Sequence, residues 1–137
     1  MGHSYQFMCK DCKTTQHLYE GWGFMVHDQS VNTYLSNKKF KLHYKTHQKV
    51  VSLNASHPNL QLRMEYQIYR CKSCLQVSDR LFVQVKLGEK ILHQTRFQCP
   101  SCKTKLKHTN IHSLKYATCP RCKSYKFKKS KELVLWN

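Results

Sequence analysis

Eight cysteines are the residues whose type and spacing most directly indicate chemistry in this chain. They form four Cys-x-x-Cys pairs, and no cysteine is left outside a pair. Two residues between two thiolates let one tight turn, or knuckle, present both sulfurs to one ion, and two knuckles complete a tetrahedral site. The pattern predicts two structural Zn²⁺ ions. In chain order, knuckles 1 to 4 are Cys9/Cys12, Cys71/Cys74, Cys99/Cys102 and Cys119/Cys122.

Disulfide bonding is the main alternative for an even number of cysteines in a short chain. Disulfides require an oxidising compartment and usually show uneven spacing, whereas these pairs are regular. The segment before Cys9 lacks the charged region and apolar run of a secretory signal, so we expect a cytoplasmic protein. A thioredoxin-like role needs a βαβ setting and does not explain four copies. Iron in place of zinc stays open as a minor alternative.

Two pairings of the knuckles are open. Sequential pairing gives site 1 (Cys9, Cys12, Cys71, Cys74) and site 2 (Cys99, Cys102, Cys119, Cys122). The alternative joins knuckle 2 to knuckle 3, and knuckle 1 to knuckle 4 across the whole chain. Sixteen residues separate knuckles 3 and 4, which fits a compact zinc site. Because loop closure favours local partners, we expect the sequential arrangement.

Sites with four cysteine ligands leave no coordination position for water, so the metal cannot act as a catalytic Lewis acid. Carboxylates are few, and once the thiols bind metal no nucleophile arrangement or phosphate-binding glycine loop remains. The pairs His43/His47 and His108/His112 have no obvious third ligand. We therefore expect a protein that is not an enzyme and has no small-molecule substrate.

Apolar residues that alternate with polar ones from Leu60 to Ile68 predict a half-buried strand that runs into knuckle 2. Residues 81–87 and 91–97 alternate on either side of Gly88-Glu89 and predict a β-hairpin. Short β-prone stretches precede every knuckle, and a last strand is expected after Tyr125. We expect its terminal apolar residues, Leu133, Leu135 and Trp136, to face inward.

Residues 29–56 contain no cysteine, glycine or proline, and their apolar residues recur at helical spacing. The spacing predicts one short helix around Tyr34 and a second with Phe40, Tyr44, His47 and Val51 on one buried face. We expect two domains. Residues 1–80 would form a first zinc ribbon with this helical insertion, and residues 81–137 a hairpin plus a basic C-terminal ribbon.

The sequences Cys99-Pro-Ser-Cys-Lys and Cys119-Pro-Arg-Cys-Lys resemble the knuckles of zinc-ribbon, or rubredoxin-type, proteins. In that superfamily the residue after the second cysteine is most often a glycine in the left-handed conformation, and here Lys13, Lys103 and Lys123 replace it. The whole layout resembles small uncharacterised bacterial two-ribbon proteins. The resemblance implies a small α+β, β-rich fold with two Zn(Cys)4 ribbons, but it implies no activity, since zinc ribbons serve nucleic-acid machines and protein assemblies alike.

The chain is strongly basic. Two sites of four thiolates and one Zn²⁺ lower its formal charge from +17 to about +13. No acidic residue lies between Asp28 and Glu65 or between Glu89 and Glu132. Twelve of the cations of these intervals are the predicted nucleic-acid-binding residues: Lys38, Lys41, Lys45, Lys49, Lys103, Lys105, Lys107, Arg121, Lys123, Lys126, Lys128 and Lys129.

Such a charge distribution recruits polyanions through phosphate contacts. Lysine outnumbers arginine, which argues against bidentate reading of bases, so we expect low-specificity association with DNA or RNA. The alternative is a protein-interaction or assembly module with no nucleic-acid role, exposing an apolar patch near residues 21–25 or 135–136. No apolar run is long enough to span a membrane, and we expect no membrane partner.

Overall fold

The structure, a computed structural model, describes residues 2–23, 26–114 and 117–136, with side chains up to residue 130. Strands dominate it, and two helices lie in the cysteine-free middle of the chain. The elements are β1 (Gly2–Cys9), β2 (Thr15–Gly21), β3 (Gln29–Ser30), α1 (Val31–Ser36), α2 (Tyr44–Ser56), β4 (Gln61–Arg70), β5 (Val77–Leu87), β6 (Lys90–Gln94), β7 (Lys107–His108), a 3-10 turn (Ile111–Ser113) and β8 (Phe127–Trp136).

The strands form one sheet in the order β6-β5-β4-β2-β1-β8, with β3 and β7 also paired to β4. The sheet has two halves, β8-β1-β2 and β4-β5-β6, which are joined by the pair Gly21 and Tyr66. The expected domain boundary at residue 80 falls inside β5. Since β5 pairs with β4 along the full length of β4, the sheet joins residues on the two sides of that boundary.

Knuckles 1 and 2 are the turns of two antiparallel hairpins. The β1–β2 ladder ends at the pair Met8 and Thr15, and the β4–β5 ladder ends at Arg70 and Val77. Each hairpin therefore closes through the same number of residues, 9–14 in one case and 71–76 in the other. The predicted hairpin at Gly88 is confirmed, and Gly88 adopts a φ of 60° there, which suits glycine in a two-residue turn.

Alternation along β4 gives the sheet two different faces. Leu62 and Met64 are buried against α1 and α2, together with Val83 and Val85 of the neighbouring β5. This confirms the predicted half-buried strand. The intervening residues, among them Arg63, project from the opposite face of the sheet.

The predicted buried face of the second helix is wrong. Tyr44 is 61% exposed and Val51 is 45% exposed, whereas Val50 is fully buried. The helix begins only at Tyr44, so Phe40 lies in the preceding loop. The contacts that select the buried face come from Leu60 and the sheet. The observed buried face is therefore shifted by about one residue from the face that apolar spacing predicted.

The C-terminal strand is present and lies at the edge of the sheet beside β1. The predicted inward orientation of Leu133, Leu135 and Trp136 concerns side chains outside the described part of the chain. The β-prone stretches before knuckles 3 and 4 carry only isolated bridges, at Gln98 and Ala117, within the described residues. No helix in the described ranges is long and apolar enough to cross a membrane.

Candidate metal centres

All four knuckles share one backbone geometry. In knuckle 1 the Cys9 amide donates to the Thr14 carbonyl at 2.9 Å, and the Lys13 amide donates back to the Cys9 carbonyl at 3.0 Å. The equivalent two hydrogen bonds recur in the other three knuckles at 2.8–3.1 Å. Each knuckle is thus a closed turn that directs its two sulfurs to the same side.

The residue after the second cysteine is left-handed in every knuckle. Lys13, Lys103 and Lys123 have φ values of 63°, 58° and 65°, as the resemblance to zinc-ribbon knuckles implied. Leu75 of knuckle 2 has a φ of 61°. A side chain in this region costs roughly 1–2 kcal/mol. The knuckles therefore keep a turn that glycine would form with less strain.

The structure groups the knuckles differently from the sequential expectation. Knuckle 1 meets knuckle 4 and knuckle 2 meets knuckle 3, with all sulfurs of a group within 4.8 Å of one another. We call these site A (Cys9, Cys12, Cys119, Cys122) and site B (Cys71, Cys74, Cys99, Cys102). The sequential pairing was wrong because loop-closure entropy grows only with the logarithm of length, and the β1–β8 ladder brings the chain ends together.

The sulfur positions fit a tetrahedral thiolate site. Cys9 Sγ lies 3.5 Å from Cys122 Sγ, and Cys12 Sγ lies 3.6 Å from Cys119 Sγ. In site B, Cys74 Sγ lies 3.7 Å from Cys99 Sγ. A tetrahedral Zn²⁺ with Zn–S bonds of about 2.3 Å separates its sulfurs by about 3.8 Å. Each group could therefore hold one metal ion with little rearrangement, and the all-sulfur donor set suits Zn²⁺.

Site A is held together by contacts across its two knuckles. Asp11 of knuckle 1 accepts a hydrogen bond from the Ser124 hydroxyl and forms an ion pair with Lys126 at 3.5 Å. The Lys10 amide also donates to the Lys126 carbonyl at 3.2 Å. The Ser124 hydroxyl foremost, and then the Lys126 ammonium, lower the pKa of the Asp11 carboxyl. These contacts position knuckle 4 on knuckle 1.

Site B has a corresponding arrangement. The Ser73 hydroxyl of knuckle 2 lies 3.3 Å from the Thr104 hydroxyl, which follows knuckle 3. After knuckle 3 the chain forms β7, which pairs with the end of β4, as β8 pairs with β1 in site A. Each half of the sheet therefore contains a hairpin knuckle, a second knuckle and a strand that returns along the hairpin.

Thr118 links the two sites. Its amide donates to the Leu75 carbonyl at 3.0 Å, and its hydroxyl donates to the Cys74 carbonyl at 2.6 Å. Thr118 is buried and directly precedes Cys119 of site A, whereas Cys74 belongs to site B. Thr118, at the start of site A, is therefore hydrogen-bonded to the backbone of site B.

The thiols of one group differ in acidity. The Thr14 hydroxyl, 3.1 Å from Cys12 Sγ, lowers the pKa of the Cys12 thiol to about 6. The Cys74 backbone amide lowers the pKa of the Cys71 thiol to about 7. The neighbouring sulfur of Cys74 raises the pKa of Cys102 to about 12. Each site thus contains a readily ionised thiol, and metal binding to four sulfurs must displace the protons that remain.

The predicted cations do not form one surface. Lys38, Lys41, Lys45 and Lys49 lie in or before α2 on the helical side of the sheet, and Lys128 follows on β8. Several of the others lie at site A and make local contacts: Lys126 pairs with Asp11, the Lys123 ammonium donates to the Pro120 carbonyl at 3.2 Å, and the Lys129 ammonium lies 5.5 Å from the Tyr5 ring centre. Lys103 and Arg121 are exposed within or beside their knuckles.

Neither histidine pair belongs to a further metal group within the described residues. His47 Nδ1 instead lies 2.7 Å from the hydroxyl of buried Tyr34, which also accepts a hydrogen bond from the Leu42 amide at 3.0 Å. The His47 ring therefore has a structural partner.

Comparisons with protein-family models, with curated proteins and with solved structures found no match to this chain.

Proposed function

We propose that sites A and B bind two structural Zn²⁺ ions, and that the protein is a cytoplasmic, non-enzymatic zinc-ribbon protein that associates with nucleic acid at low sequence specificity. The observation that carries the zinc proposal is the convergence of four equivalent knuckles into two groups whose sulfurs have tetrahedral spacing. The repeated arrangement of hairpin knuckle, second knuckle and returning strand supports two ribbons.

The charge balance supports nucleic acid as the partner. The chain has 24 lysine and arginine residues against seven acidic residues, and among the described acids Asp11 and Glu65 are paired with cations. A surface with so few free acids attracts phosphates over long range. Contacts of lysine to phosphate give affinity without reading the bases.

A protein-interaction module is the second candidate, and an exposed aromatic favours it. Trp22, directly after β2, has 44% of its surface exposed. The neighbouring residues 24 and 25 of the expected apolar patch, and the side chains of Leu135 and Trp136, lie outside the described residues. A partner that binds there would hold its affinity in moderate salt, because apolar burial is not screened.

Metal analysis and binding assays test the proposal in two steps. The purified protein should contain two zinc ions per chain, and chelation should lower its melting temperature and its circular-dichroism signal, since binding of structural zinc contributes on the order of 10 kcal/mol to folding. Zinc-loaded protein is then titrated into labelled single-stranded DNA, duplex DNA and RNA at about 50 and 200 mM salt. Absence of binding at the lower salt would contradict the nucleic-acid role and favour the interaction module.

A further inference from the structure

A groove lies on the face of the second half-sheet opposite α1 and α2. Its floor is the face of β4 and β5 that carries Arg63, Gln67 and Phe82, and one wall is the chain around knuckle 3. The groove has a volume of about 790 Å³. The grouping of knuckles 2 and 3 in site B places the chain around knuckle 3 beside β4, where it forms this wall.

Cations surround this groove. Lys72, Arg96, Lys105 and Lys107 line it, and within the described part of the chain no acidic side chain does. None of these four cations has an ion-pair partner among the described residues. Arg63 is different, because it pairs with Glu65 on the same face at 2.5 Å, so its charge is already balanced. Four unpaired positive charges therefore face one concave surface.

An adjoining cavity of about 330 Å³ shares Lys72 and Lys107 with the groove and adds Arg70. Arg70 Nε is buried and has no hydrogen-bond acceptor among the described residues. A buried donor without an acceptor is costly unless an anion or water satisfies it. The positive surface thus continues past the groove towards knuckle 2.

Aromatic and amide groups lie between the cations. The half-buried Phe97 stands beside Tyr69, with ring centres 5.2 Å apart, and both line the groove. Gln67 is fixed by hydrogen bonds from its amide to Glu65 at 3.0 Å and from the Tyr69 hydroxyl at 2.8 Å. Rings beside a positively charged channel are typical of surfaces that bind unpaired bases. A duplex is convex and keeps its bases stacked inside, so it cannot reach a concave aromatic floor.

We propose that this groove binds a single-stranded segment of nucleic acid, with Lys72, Arg96, Lys105 and Lys107 contacting phosphates and Phe97 stacking on a base. The inference rests on the nucleic-acid role proposed above and assigns that role to one surface. It favours Lys105 and Lys107 among the predicted cations and adds Lys72 and Arg96. The lysines of α2 lie on the opposite side of the sheet and are excluded from this contact.

Neutralising two groove lysines tests the assignment. Each contact to a single strand contributes about 0.7 to the slope of log affinity against log salt. The variant K105Q/K107Q should therefore lose about 1.4 from the slope, which corresponds to about 65-fold weaker binding at 50 mM salt and about tenfold at 200 mM. The matched control K45Q/K49Q removes the same charge from α2 and should bind almost as the wild type does.

The assay is fluorescence anisotropy with the full zinc-loaded chain and labelled single-stranded DNA, single-stranded RNA and duplex DNA. Zinc content and circular dichroism establish that each variant is folded. Phe97→Leu keeps an apolar side chain but removes the ring, and it should weaken single-strand binding at least about fivefold. Comparison of the single-stranded DNA and RNA probes identifies which nucleic acid the groove prefers. Duplex DNA should bind more weakly than either single-stranded probe.

The outcomes separate the two proposals. If the wild type binds but K45Q/K49Q weakens it as much as K105Q/K107Q does, the groove is not the site, while the nucleic-acid role stands. Duplex binding as tight as single-strand binding would also overturn the groove assignment. If the wild type binds no probe at 50 mM salt, both proposals fail together.

Discussion

Pairs of cysteine substitutions should distinguish site A and site B from the sequential alternative by zinc stoichiometry. Cys12, Cys74, Cys102 and Cys122 are the least buried cysteines of their knuckles, so serine at these positions perturbs the cores least. If knuckles 1 and 4 share one ion, C12S/C122S leaves site B intact and retains one zinc. C12S/C74S breaks both sites and retains none. Sequential pairing predicts the reverse for these two variants.

The structure also predicts how the losses of stability differ. The sulfur contact Cys12–Cys119 in site A joins residues 107 positions apart, and Cys74–Cys99 in site B joins residues 25 apart. With a closure entropy of (3/2)RT ln n, the longer loop gives about 1.3 kcal/mol more stabilisation through the unfolded state. C12S/C122S should therefore be less stable than C74S/C102S by about that amount, if the two ions bind equally well.

Native mass spectrometry and a colorimetric zinc assay measure the stoichiometry, and urea unfolding measures the difference in stability. C74S/C102S is the internal control, because it removes the same number of thiols as C12S/C122S but breaks site B and leaves site A intact. One zinc in C12S/C74S together with none in C12S/C122S would refute the pairing seen in the structure. Equal stability of C12S/C122S and C74S/C102S would contradict the loop-closure argument alone.

Three further predictions concern single side chains. Lys103→Gly should raise the free energy of unfolding by about 0.5–1 kcal/mol, since it relieves a left-handed residue; a decrease in urea unfolding would contradict this. Tyr34→Phe should cost about 1–3 kcal/mol, because it removes a hydroxyl with two hydrogen-bond partners, and an unchanged thermal midpoint would argue against it. Thr14→Val should move acid-induced zinc release to higher pH. The Thr14 hydroxyl lowers the pKa of Cys12 to about 6, so its loss raises that pKa and lets protons displace the metal at a higher pH. The pH midpoint of zinc release should rise by up to about one unit. A midpoint that stays constant or falls in a titration with a zinc-sensitive dye would count against the prediction.

Local patterns predicted the local elements well. The alternation that buries Leu62 and Met64 is set by the two-residue period of a strand, and Gly88 marks the hairpin turn for conformational reasons that any fold would share. The prediction of the second helix was correct in its existence and wrong in its face. Whether Val50 or Val51 is buried depends on where the sheet lies, and apolar spacing within the helix does not contain that information.

The sequence by itself determined the ligand chemistry: four regular Cys-x-x-Cys pairs specify two four-sulfur groups that could each hold a metal ion, because ligand type and spacing are local properties of a knuckle. Only the tertiary structure decided which knuckles meet, since closing a long loop costs little more than closing a short one and the β1–β8 ladder outweighs the difference. The same holds for the groove. Lys72 from knuckle 2 and Lys105 from beyond knuckle 3 lie 33 positions apart in the chain, and they line one surface because site B joins their knuckles.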